Sequence, residues 1–330
     1  MASSTLHFKN KIPWQLVRLL AVAFVAWAAG ACYSVWLNPE MIFLRHGHVV
    51  KRAWEHHLEN VYKTKTVVFG GSGCLTAIDP VRMAERHNLP VLNLGFHAGF
   101  GAPILTRYAL PCLKSGDALI VALESGLLTR PKEIEPLGVQ FSFASGRVDA
   151  LHDFDGIDWI ASLLALRPGS ENVFTFLGKV ILHRPLHRYS SAEIRAGGWQ
   201  EVAERRAFPT PVSEDLQLSD DAKKLLRFIH AYCAERRVRV AYSLPWSYCP
   251  PEKAAEFQHQ NLELLSQISE FIPVLNDPRL GAYSVREHFA DTFLHLTADG
   301  AALKTDELAE QLMGWKTLSR EELMQMAGNE

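Results

Sequence analysis

The chain has 330 residues, 48% of them hydrophobic, and 34 basic against 36 acidic side chains leave a formal net charge of −2. This is the composition of a folded globular body of one large domain or two small ones, and without a strongly basic patch it argues against nucleic acid as a partner. Five cysteines (Cys32, Cys74, Cys112, Cys233 and Cys249) do not make a disulfide framework in a chain this long.

In chain order, Lys9, Lys11 and Arg18 precede an uncharged run, Leu19 to Leu37, that carries Trp27, Tyr33 and Trp36. Its length of about nineteen residues suits one membrane crossing. Late aromatics fit an interfacial belt, and the basic flank predicts an inside N-terminus. Residues 1–18 then read as a cytoplasmic tail and 19–37 as an anchor, although Arg45, Lys51 and Arg52 beyond the run oppose that orientation. The competing readings are a signal peptide cleaved near Ala29-Gly-Ala31, a lipoprotein acylated at Cys32, or a buried helix. Residues 38–60 read as a helical or irregular neck. His46, His48, His56 and His57 lie there with no third ligand at metal spacing, so a solvated face is expected and no metal.

From Val67 onward, short apolar runs alternate with helical ones. Val67–Phe69, Val91–Leu94, Ala118–Leu123, Val238–Leu244 and Phe271–Leu275 are predicted strands. Val81–His87, Leu105–Leu113, Asp221–Arg236, Ala254–Ser269 and Ala301–Met313 are predicted helices. That rhythm argues an α/β fold with a mainly parallel sheet and helices on both faces. It breaks between Gly126 and Asp220, where the apolar stretches Trp159–Leu166 and Val173–Leu182 are followed by Arg184, His187 and Arg188. An inserted helical cap, a surface against a bilayer and a plain extension of the core are all open. Cys233 and Cys249 flank one predicted strand and could pair in an oxidising compartment; two free thiols are the simpler expectation.

Two segments carry chemistry. In Val67-Val-Phe-Gly-Gly-Ser-Gly-Cys74, a strand runs into a glycine turn and then a helix start, which exposes Ser72 beside free backbone N–H groups at the positive end of a helix. Such groups can hold an oxyanion. The bland alternative is a glycine turn with an incidental serine. A dinucleotide fingerprint is disfavoured because Thr76 stands where a third small residue belongs and the strand Pro90-Val-Leu-Asn-Leu-Gly95 ends without a carboxylate. No Gly-Lys-Ser/Thr follows, so a P-loop is excluded. The second segment is Asp291-Thr-Phe-Leu-His295, in which the carboxylate can orient the imidazole from the same loop; an N-terminal helix cap with an exposed histidine is its bland counterpart. Parallel sheets bind ligands beyond their strand C-termini, where Ser72, Gly95 and the Asp291/His295 loop would all fall.

These segments resemble the blocks of the SGNH (GDSL-like) hydrolase superfamily, and more narrowly its membrane-anchored bacterial branch related to acylation and deacylation of cell-envelope polymers. Gly70-Gly-Ser72 matches the serine block. Asn93-Leu-Gly95, followed by Phe-His-Ala-Gly99, matches the block with a backbone-donating glycine. Asp291 and His295 match the last block with one extra residue between them. The third block should supply an oxyanion-hole asparagine; the matching strand, Ala118-Leu-Ile-Val-Ala-Leu-Glu124, offers Glu124 instead.

The resemblance covers about residues 61–125 and 238–313. It implies a three-layer α/β/α, flavodoxin-like domain over 61–315 behind one transmembrane helix, with a cap-like region at about 127–220 and a tail at 316–330. It implies catalysis by Ser72, His295 and Asp291, an oxyanion hole from the Ser72 and Gly95 N–H groups, Glu124 near substrate, and no cofactor. The implied substrate is an acyl ester of an envelope polysaccharide, hydrolysed or transferred outside a bacterial inner membrane. The alternative is a catalytically weak protein that binds glycan or assembles with a membrane acyltransferase.

Overall fold

The computed structural model describes residues 14–130, 135–152, 158–167, 170–184, 186–202, 205–209 and 216–328. Lys9 and Lys11 lie outside these residues.

The apolar run is one helix, α1 (Trp14–Cys32), continued by a π turn, Tyr33–Leu37. Trp14–Leu37 is long and apolar enough to cross a membrane. Asn38 ends it and opens α2 (Pro39–Val61), its side chain accepting the Glu40 N–H at 3.1 Å. α2 is no neck. It buries Met41, Phe43, Leu44 and Leu58 against the body. Lys51 Nζ and Trp54 Nε1 donate to the carbonyls of Asn93 (2.8 Å) and Val91 (2.9 Å) on the outermost strand. Side chains of α2 thus satisfy polar groups that an edge strand would otherwise leave open. Of the four histidines here, His46, His56 and His57 are exposed as expected, whereas His48 is partly buried. It packs edge-on against Tyr108 and Phe141, and burial pushes its imidazole down to about 4.

The chain then alternates β1 (Thr66–Gly70), α3 (Ser72–Ala77), α4 (Pro80–His87), β2 (Val91–Gly95), α5 (Ala102–Ala109) and β3 (Ala118–Ala122). After α6 (Ser125–Thr129), α7 (Pro136–Ala144), α8 (Trp159–Ala165) and α9 (Ser170–Ile181), the rhythm resumes with α10 (Asp220–Arg236) and β4 (Arg239–Tyr242). β5 (Ser247–Tyr248), α11 (Ala254–Ile268), β6 (Val274–Leu275), β7 (Ala282–Tyr283), α12 (Ala298–Gly314), β8 (Thr317–Leu318) and α13 (Arg320–Gly328) complete the order. The main sheet has six strands in the order β2-β1-β3-β4-β6-β8. All pairs are parallel except the last, in which β8 runs against β6. Val67, Phe69, Leu119 and Val121 share a core with side chains of α5, α10 and α11, whereas Val68, Ile120 and Ala241 share another with α3, α4 and α12. Alternate residues of a strand point to opposite faces, so helices cover both sides.

Within the expected tail, residues 316–328 contribute β8 and α13, with Leu323 fully buried. Phe271–Leu275 is strand only at its last two residues. Cys233 and Cys249 are free thiols in different clusters. Because β1 and β3 are neighbours while β2 lies outside β1, successive connections leave β1 in opposite directions, and a crevice opens at the strand C-termini there. One residue, Gly71, separates Ser72 from the end of β1.

Candidate active site

Ser72 is the first residue of α3, and Gly71 is its N-cap. The glycines are required by space, not by dihedral freedom: Gly71 is extended at φ −81°. A Cβ on Gly70 would lie 2.7 Å from the Ala122 carbonyl carbon, and one on Gly71 would lie 2.6 Å from Glu124 Cδ. Glu124 is buried beneath the turn, its two oxygens accepting the N–H groups of Gly71 (2.9 Å) and Gly73 (2.7 Å). Burial pushes its carboxyl up despite these donors. Both oxygens are thus engaged in holding the serine turn, while Glu124 also lines a second cavity of about 670 Å³.

The Gly95 N–H, expected in an oxyanion hole, is engaged as well. Its N–H donates to Asn93 Oδ1 at 2.7 Å, and a Cβ there would lie 2.7 Å from the Cys74 carbonyl carbon. Asn93 in turn donates to the carbonyls of Cys74 (3.1 Å) and Ile78 (2.7 Å). The Asn93–Gly95 pair clamps α3 to β2, and the glycine permits the close approach.

The segment 291–295 is a tight loop closed by Ala290 N–H on the His295 carbonyl (2.8 Å), with Thr292 Oγ1 accepting the His295 N–H (3.0 Å). His295 Nδ1 lies 2.8 Å from Asp291 Oδ1. An ionised carboxylate only accepts, so Nδ1 carries the proton and Nε2 is left basic. Asp291 Oδ2 accepts from the Tyr189 hydroxyl (2.8 Å) and pairs with Arg188 (2.6 Å). Burial alone would raise the Asp291 carboxyl, but His295, Tyr189 and Arg188 together hold it below its ordinary range. Thr76 Oγ1 joins the two halves: it donates to the Ser72 carbonyl (3.1 Å) and accepts the Leu296 N–H (3.3 Å).

Ser72, His97 and His295 line one cavity of about 580 Å³. Tyr189, Arg188 and His187 form another part of its wall, Tyr33, Ser34, Asn38 and Glu40 a third, and Thr175 and Lys179 of α9 a fourth. Among the described residues neither the Ser72 hydroxyl nor His295 Nε2 has a hydrogen-bond partner, so hydroxyl and imidazole face the same space with no hydrogen bond between them. His97 Nδ1 accepts the Gly99 N–H at 2.9 Å, which puts the proton of the neutral ring on Nε2. Burial, then the neighbouring His295, hold this imidazole below its ordinary value.

The sequence motifs supplied Ser72, Asp291 and His295; the fold brings Ser72 and His295 to one cavity and buries Asp291 behind His295. They did not supply Tyr189, Arg188, Thr76 or His97. His97 sits two residues past Gly95, and that position after the second strand was the available signal. Among the described residues no three His, Cys, Asp or Glu side chains group as a metal site. No family model, curated protein or solved structure matches the chain.

Proposed function

We propose that this protein is a membrane-anchored, extracytoplasmic member of the SGNH-like hydrolases, with their three-layer arrangement, acting on acyl esters of an envelope polysaccharide by hydrolysis or acyl transfer. The observation that carries this reading is the shared cavity: Ser72 and the Asp291-paired His295 open onto the same space and are tied together through Thr76.

In the proposed reaction the Ser72 hydroxyl attacks the ester carbonyl and its proton passes to His295 Nε2. Asp291, held by Tyr189 and Arg188, stabilises the resulting imidazolium. The oxyanion takes the Ser72 N–H and the Nε2–H of neutral His97, which stands in for the absent asparagine. Collapse expels the alcohol with the proton from His295, and water or a sugar hydroxyl then releases the acyl group by the reverse sequence.

A second reading, a glycan-binding or assembly partner of a membrane acyltransferase, is favoured by the engaged Gly95 N–H and by the absence of a Ser72–His295 bond. The test is brief exposure of the purified protein to a fluorophosphonate, with mass spectrometry of the product. An adduct on Ser72, formed with loss of fluoride and absent in His295→Ala, supports the enzyme. Folded protein without an adduct sinks it and leaves the binding reading.

A further inference from the structure

We infer that α8 and α9 lie in the outer leaflet of the membrane beside α1, so that the Ser72 cavity opens at the bilayer surface. The inference rests on α1 crossing the membrane and is independent of the serine chemistry.

The argument begins with length. A bilayer's hydrocarbon core is about 30 Å thick, and a helix rises about 1.5 Å per residue. Arg18 holds the inner end of the apolar run at the headgroups by snorkelling. Outward from there, Leu19 to Ala26 is exposed on all sides but rises only about 12 Å. The rest of the crossing must come from Trp27 to Leu37, and this part is already in contact with the body. Trp27 Nε1 donates to the Leu163 carbonyl of α8 at 3.1 Å, while Ala31 and Val35 share a buried cluster with Leu166 and Val139. Trp27 lies about 15 Å below Leu37 along the helix. Whatever is bonded at that level goes into the hydrocarbon with it.

The chemistry of α8 and α9 suits that position. Trp159, Ile160 and Leu164 on α8 and Leu177 and Ile181 on α9 are exposed, and Ile160 and Ile181 are more than 70% so. In lipid every backbone polar group needs a protein partner. The carbonyls of Leu163 and Ala165, at the α8 C-terminus, accept from the Trp27 and Gln140 side chains, and Asp158 caps the Ala161 N–H at its start. Arg167 follows with the length to reach headgroups. The cavity is walled by Tyr33 and Ser34 near the outer end of α1 and by Thr175 and Lys179 of α9, so its rim stands at the membrane edge.

Photo-crosslinking of the full-length protein in phosphatidylethanolamine–phosphatidylglycerol liposomes tests this. Benzoylphenylalanine replaces Ile160, Leu164 or Ile181 in turn, with Val25 on α1 and Leu303 on α12 as references; all five are exposed, so folding is preserved. Mass spectrometry should find phospholipid adducts at the three positions in yield like that of Val25 and about tenfold above Leu303, as for an apolar face inserted in lipid. Lipid adducts at Val25 alone overturn the inference. So do protein adducts at the three sites, which would mark a partner's docking face instead. Without adducts at Val25 as well, α1 is not in the membrane and the inference falls at its premise, whatever the serine does.

Discussion

Replacing Gly71 by alanine tests the account of the serine turn most sharply. The backbone at Gly71 has a negative φ of −81°, so alanine meets no left-handed penalty. The added Cβ would instead lie 2.6 Å from Glu124 Cδ and force the carboxyl group aside. Both of its hydrogen bonds, to Gly71 and Gly73, would be lost. A hydrogen bond to a charged group contributes about 1.5–3 kcal/mol, so the gross loss is about 3–6 kcal/mol. The displaced carboxylate regains water in the cavity of about 670 Å³ that it lines on its far side. A net cost of about 3 kcal/mol follows, which in a chain of 330 residues corresponds to a melting point lower by about 4 °C. The assay is thermal unfolding of the full chain in detergent, read by circular dichroism, with the rate of Ser72 phosphonate labelling measured in parallel. The decisive comparison is the double variant. If the clash is the cause, Gly71→Ala adds almost nothing in a Glu124→Ala background. Full additivity would refute the reasoning.

Other outcomes follow from the same geometry. Asp291→Asn should slow Ser72 labelling by about 10⁴-fold, because an amide can donate to Nδ1 and select the wrong tautomer; in the parent chain, the stability from Asp291 is full above its ordinary 3.8 and lost as pH falls through its lower folded value. A labelling rate within tenfold of the parent would count against the pairing. His97→Ala should slow labelling by about 10²-fold, and His97→Gln, which keeps an N–H donor, should recover part of that; equal rates for the two would remove His97 from the oxyanion site. Lys51 is pushed down to about 7 by burial, whereas the unfolded chain holds its proton up to 10.5. Folding therefore releases a proton between those values, and stability should climb with pH through that window by at most about 1.4 kcal/mol per unit. Lys51→Met lacks this term, so a parent-minus-variant stability that stays flat from pH 7 to 9 in denaturant titrations would show the lysine is not buried as described.

The central alternation was legible because β1, β2 and β3 are buried along nearly their whole length and read as continuous apolar runs between turn residues. What was missed carries little periodic signal. β8 is two residues long and pairs with an equally short β6, and α2 hides its inward face by placing Lys51 and Glu55 among its buried positions. The catalytic candidates were legible as local spacing, Asp291 to His295 within one loop. Tyr189 and Arg188 were not, since they reach Asp291 from a segment with no motif. Gly95 was misassigned for a related reason: its N–H faces an acceptor in its own strand, and no pattern of residue types shows which way the Asn93 side chain turns.

The bonds from Lys51 and Trp54 to the outermost strand bear on how far the protein can act. A flexible linker as long as α2 would let a tethered body roam about 25 Å from its anchor point. Here the segment after the apolar helix is itself pinned to the sheet at two carbonyls, so the cavity stands at a constant height and orientation relative to α1. Such a protein does not search. On the proposed function, an acceptor polymer must be brought down to the cavity, and chain segments held farther from the membrane stay untouched however abundant they are.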